Sequence, residues 1–100
     1  MHTTVTARHC EISDDLRSRA TSVIDRLAKV AHRPHSAEVI FDADHGTKVV
    51  ELKFVLVRGQ VRVASAEADD FRTALDRAAD KMRTQLDKDA DRTVSRSEPA

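Results

Sequence analysis

Tryptophan and tyrosine are missing, phenylalanine occurs three times, glycine and proline twice each, and there is one cysteine, Cys10, in 100 residues. Each scarcity excludes something. One cysteine forms no internal disulfide and no cysteine-based zinc cluster, which suits a reducing compartment. Three aromatic rings make no stacking platform for bases. The two glycines, Gly46 and Gly59, stand apart in turn-like segments, so no glycine-rich phosphate loop and no Gly-x-Ser-x-Gly elbow exists. No apolar run reaches the roughly 18 residues a membrane span needs. The start, Met1-His2-Thr3-Thr4-Val5-Thr6, lacks the basic and apolar stretches of a signal peptide. An excess of one charge is also missing: Lys plus Arg and Asp plus Glu number 17 each, with seven of each in the first 50 residues and ten of each afterwards. Bulk charge therefore gives no nucleic-acid or membrane footprint. A soluble cytoplasmic protein without metal, cofactor, DNA or membrane partner is expected.

What is present is enough for one domain. Charged residues make up 34% of the chain, and the apolar residues are led by 14 Ala and 11 Val. That content supports a folded but small-grained core.

Thr3 to Arg8 alternate and are β-branched, which predicts a strand, and Ser13 before Asp14 and Asp15 predicts a helix start. Leu16, Ala20, Val23, Ile24, Leu27, Val30 and Ala31 recur at three- and four-residue steps, a buried helical stripe ending before Pro34. Ala37, Val39 and Phe41 then alternate with Glu38, Ile40 and Asp42. Asp44-His45-Gly46-Thr47 supplies turn chemistry, and Val50, Leu52, Phe54 and Leu56 share one face of the next strand. Gly59-Gln60 permits a turn into a strand over 61–67. Asp69 or Asp70 caps a second helix whose stripe is Phe71, Ala74, Leu75, Ala78, Ala79, Met82 and Leu86. Residues 89–100 have little to bury and are expected to be a disordered tail behind a domain over 1–88. The expected fold is α+β: a βαβββα two-layer sandwich, with both helices on one face of a four-stranded mixed sheet.

No catalytic constellation accompanies this fold. His32 and His35 flank Pro34 with no further ligand at metal spacing. His9 and Cys10, adjacent at a strand end, point to opposite faces. Asp69-Asp70 sits where a helix start favours anions.

The helix charges are sorted. At 100° per residue, Arg77, Lys81, Lys88 and Arg92 fall within an arc of about 60° on the second helix. On the first, Arg19, Arg26, Lys29 and Arg33 line one flank of the apolar stripe. Two basic edges bordering a common groove are expected, able to meet phosphates despite overall neutrality. Long basic stems also run along core edges simply to solubilise helices. The opposite sheet face carries Ile40, Val49, Val55 and Val57 among Glu51, Lys53 and Arg62. It offers a second surface, for a protein contact or weak self-association.

Thr6-Ala7-Arg8-His9-Cys10-Glu11-Ile12-Ser13-Asp14-Asp15-Leu16-Arg17 resembles the strand-end segment of the ribosome hibernation-promoting factor and ribosome-associated inhibitor family. Ala66-Glu67-Ala68-Asp69-Asp70-Phe71, Ala74-Leu75-Asp76, Asp80-Lys81 and Gln85-Leu86-Asp87-Lys88 are similar to its final strand and helix. The resemblance spans residues 3 to 88. It implies a double-stranded-RNA-binding-domain-like fold, no enzymatic activity, and binding to the small subunit and the 70S ribosome. In that family the protein occupies the decoding channel, meets ribosomal RNA phosphates, and blocks messenger and transfer RNA during stress. The matched positions Arg8, Lys81 and Lys88 are the RNA-contact candidates it implies. Arg26, Lys29 and Arg77 join them from the stripe argument, with Arg19, Arg33 and Arg92 behind. Ala7 replaces the usual Gly, Phe71-Arg72 replaces Met-Tyr, and the run Asp87-Lys88-Asp89-Ala90-Asp91-Arg92 is more acidic than usual. The chain reads as a short form without the family's dimerisation domain.

Overall fold

Alternation along the central strands sets the layers. A computed structural model describes residues 1–31 and 33–97, with side chains up to residue 89. Strand β1 (His2–Arg8) leads into helix α1 (Asp14–Val30), followed by β2 (Pro34–Asp44), β3 (Thr47–Leu56), a 3-10 turn (Val57–Gly59), β4 (Val61–Ala68) and helix α2 (Phe71–Ser97). This is the expected βαβββα order.

The sheet order is β1-β2-β3-β4, with β1 parallel to β2 and the other pairs antiparallel. A strand–helix–strand crossover makes its two strands parallel when they are neighbours. The β2–β3 hairpin closes on His45 and Gly46, whose φ angles of 50° and 83° are both positive, as the turn matching strand twist requires. Pairing then puts Ala37, Val39 and Phe41 beside Phe54, Leu52 and Val50 on the covered face. The reverse face carries Glu38, Ile40 and Asp42 beside Lys53, Glu51 and Val49. The β3–β4 link expected as a tight turn at Gly59 contains a short helical turn instead, with Arg58 and Gly59 both at positive φ.

Both helices lie on the covered face. Ser13 Oγ accepts from Leu16 N at 3.1 Å, satisfying one otherwise unpaired donor of the first turn of α1. Asp70 does the same for α2, accepting from Thr73 N at 3.4 Å. Ile24, Leu75, Met82 and Leu86 from the helices close on Val39, Phe41, Val50, Leu52 and Phe54 from the sheet, all at most 1% exposed. No charged side chain is buried among the described residues. Phe71 stands edge-on to Phe41, centroids 5.4 Å apart.

Two features depart from expectation. Helical backbone in α2 runs to Ser97, whereas the expected domain boundary lies at Lys88. No Gly or Pro interrupts the run before Pro99, and extending a formed helix is far easier than starting one. The tail expectation for residues 98–100 lies outside the described residues, as do His32 and the side chain of Arg92. Ile40, expected as open-face surface, is only 8% exposed, because it sits on an inner strand flanked by Thr6 and Glu51.

Candidate nucleic-acid interface

The cationic side chains are placed by α2. One flank of this helix runs along β4, the edge strand, and its side chains hydrogen-bond the strand's outward carbonyls in series. Arg77 Nη1 donates to Glu67 O at 3.0 Å, Lys81 Nζ to Ser65 O at 2.9 Å, and Gln85 Nε2 to Val63 O at 2.9 Å. One step further along, Asp89 accepts from Arg62 Nε at 2.6 Å and Nη2 at 3.2 Å, while Arg62 Nη1 donates to Val61 O at 3.0 Å.

The spacing has a simple cause. Four helical residues advance about 6.0 Å and two strand residues about 6.7 Å. Every fourth side chain of α2 therefore meets every second outward carbonyl of β4, the helix ascending as the strand descends. The Arg62–Asp89 pair is the most sheltered link, its side chains 26% and 16% exposed. The Asp89 hydrogen bond is the main cause that raises the Arg62 guanidinium above its usual range. Arg62 thus belongs to the covered face, not to the open face where the sequence reading put it. It pairs with Phe54 across β3–β4.

The other flank of α2 faces α1. Asp76 accepts from Arg19 Nη2 at 2.9 and 3.0 Å through its two oxygens, while Arg19 Nε is buried with no partner among the described residues. Arg72 and Arg83, four before and seven after Asp76, share this flank by helical spacing. Arg83 lies 3.7 Å from Asp87.

The six candidates therefore do not line one groove. Arg77 and Lys81 stand on the β4 side of α2, and Lys88 shares that flank by its angle. Arg26 and Lys29 are exposed on α1, and the inter-helix seam is bridged by Arg19 and Asp76. The expected groove between two basic edges is replaced by two separate cationic strips. A helical wheel locates the core side but does not say which flank meets the neighbouring helix and which the strand edge.

Arg8 stands elsewhere, on the open face opposite Asp42. Asp42 accepts from His9 Nδ1 at 3.1 Å and from Ala43 N at 2.8 Å. The His9 hydrogen bond, the Ala43 amide and the charges of His9 and Arg8 hold its carboxyl below the ordinary value against a desolvation that opposes them. Cys10 Sγ, 3.6 Å from Phe41 O, points inward, so His9 and Cys10 diverge as expected. All six candidates are exposed. The described residues contain no cluster able to hold a metal ion, and no helix long and apolar enough to cross a membrane.

Sequence reasoning missed Gln85, Arg62 and Asp89. The signal was the four-residue repeat 77-81-85-89 following an alternating edge strand.

Among known proteins, a ribosomal subunit interface protein from Coxiella burnetii is 27% identical, with a TM-score of 0.77 over 88% of this chain and 96% of that one. The N-terminal domain of Thermus thermophilus Protein Y, 24% identical, matches in fold with a TM-score of 0.76 over 88% and 98% of the two chains. No curated protein matches this sequence. The profile of the family described as sigma 54 modulation protein / S30EA ribosomal protein matches residues 3–94. With nearly the whole chain matched and the fold shared, the protein belongs to the sigma 54 modulation protein / S30EA ribosomal protein family.

Proposed function

We propose that this protein binds the small ribosomal subunit and the 70S ribosome, occupies the decoding channel, and silences translation under stress by blocking messenger and transfer RNA. The family match over residues 3–94 carries the reading. The likeness to a ribosomal subunit interface protein from Coxiella burnetii, 27% identical, supports it. The electrostatics agree. Arg26, Lys29 and Lys88 form no ion pair among the described residues. Arg77 and Lys81 each give one donor to β4 and keep others for phosphate. Such contacts read RNA shape and charge rather than sequence.

Sedimentation of the purified protein with vacant ribosomes and separated subunits tests the reading. Comigration with the small subunit and the 70S ribosome is expected, competed by messenger and transfer RNA. It should weaken by about 0.7 to 0.9 log units per tenfold salt for each phosphate engaged. Arg26→Glu/Lys88→Glu should abolish comigration without loss of structure, because neither side chain makes a hydrogen bond or ion pair within the described fold. Protein remaining at the top of every gradient refutes the reading. That result would favour an interaction module on the open sheet face, where Val61 and Val63 are 43% and 46% exposed.

A further inference from the structure

The two edges of the sheet are treated differently. At β4 the outward carbonyls of Val61, Val63, Ser65 and Glu67 are all occupied by side chains. At β1, among the described residues, no side chain hydrogen-bonds a backbone atom of the strand; the Thr6 hydroxyl donates instead to Glu38 Oε2 at 3.1 Å. Among the described residues, no backbone hydrogen bond outside the sheet ladder reaches residues 2–8.

Natural sheets defend an open edge with proline, lysine, a bulge or a covering element. β1 has no proline or lysine, its register with β2 is unbroken from His2 to Arg8, and His2, Thr4, Ala7 and Arg8 are exposed. The segment Thr3-Thr4-Val5-Thr6-Ala7 is uncharged and strongly strand-forming.

We propose that the β1 edge is an interaction surface for a second copy of this chain, pairing antiparallel with its own β1. A two-fold axis through Val5 sets Val5 against Val5, Thr4 against the partner's Thr6, and Thr3 against the partner's Ala7. Thr–Thr and β-branched pairs are favourable cross-strand neighbours. The result is one eight-stranded sheet with four helices on a single face. Self-complementarity favours this occupant over an unrelated peptide: only the end pairs, His2 against the partner's Arg8, lack it. Seven residues of strand bury less than the roughly 1,200 Å² of a standard interface, so the dimer is weak, with a dissociation constant of roughly 0.1–1 mM. This inference does not depend on the ribosomal reading, and its test contains no RNA.

Sedimentation equilibrium of the full chain across about 0.05 to 2 mM should show a reversible monomer–dimer equilibrium. Thr4→Lys/Thr6→Lys sets like charges opposite one another twice and should raise the dissociation constant about tenfold. Thr4→Lys/Thr6→Glu makes the same positions attractive and should restore or tighten association, which happens only if position 4 faces the partner's position 6. Circular dichroism checks that both variants fold. In the unmodified protein, alternate β1 amides should exchange more slowly as concentration rises. A monomer at the highest concentration overturns the proposal. So does a dimer indifferent to both double variants but lost in Val63→Lys, which would place association on the open face.

Discussion

Asp70 and Asp42 show how single carboxyls tie this fold to pH. Asp70 caps α2, and hydrogen bonding from Thr73 is the main cause holding its carboxyl below the ordinary 3.8. Asp42 is lowered chiefly by its hydrogen bond to His9. A carboxyl whose folded pKa is depressed stabilises fully above its unfolded value, and that contribution disappears as pH falls through the folded value. Stability should therefore decline below about pH 4. Asp70→Asn and Asp42→Asn should each flatten that decline while lowering stability at neutral pH. Urea midpoints measured from neutral pH to about 2 check this; an acid limb unchanged by both substitutions would show that other groups control it. A cap at Asp69 or Asp70 was readable beforehand, because a short acid before an apolar helical stripe has a local meaning; the Thr73 amide selects Asp70. The Asp42–His9 contact was not, since it joins residues 33 positions apart.

At the scale of elements, the contact between α2 and β4 has two layers. Beneath, Ala74, Leu75, Ala78, Met82 and Leu86 fill the core; along the rim, Arg77, Lys81, Gln85 and the Asp89–Arg62 pair fasten helix to edge. Replacing donors while keeping stems, as in Lys81→Met/Gln85→Leu, should leave α2 helical, speed amide exchange in β4 and promote aggregation on heating, by freeing carbonyls for strand pairing. Asp89→Ala, which strands the half-sheltered Arg62, should lower stability by about 1–2 kcal/mol in denaturant unfolding. Unaltered β4 exchange in the double variant would show that the rim bonds do not guard the edge. Elements were legible from periodicity because period and burial coincide, as in Val50, Leu52, Phe54 and Leu56. Flanks were less so. Arg62 alternates like an open-face residue only if Val61 is placed inward, and the residue that decides the matter, Asp89, lies 27 positions on.

For the whole molecule, the two apolar stripes were enough to give the layering, and the crossover rule made β1 and β2 parallel on condition that they are neighbours; the order β1-β2-β3-β4 belongs to the assembled sheet. The candidate interface was legible as a set of exposed cations but not as a surface. Whether Arg77 and Lys81 look toward α1 or toward β4 depends on which strand forms the edge, a property of the assembled sheet that no segment contains. The same assembly sets an order of events in time. β2, β3 and β4 are joined by short connections and pair with near neighbours, whereas each residue of β1 pairs with one 34 positions later, as His2 does with Ser36. Closing the longer loop is entropically harder, so the three-stranded meander should form first and β1 dock late, after α1 has brought the chain back. Pulse-labelled exchange during refolding should find the amides of Thr3 to Ala7 protected after those of Val50 to Phe54; simultaneous protection would contradict this order. A chain synthesised from its N-terminus makes β1 first and seats it last. In the interval, the strand with the least guarded edge waits unpaired beside the machinery that is still making the rest.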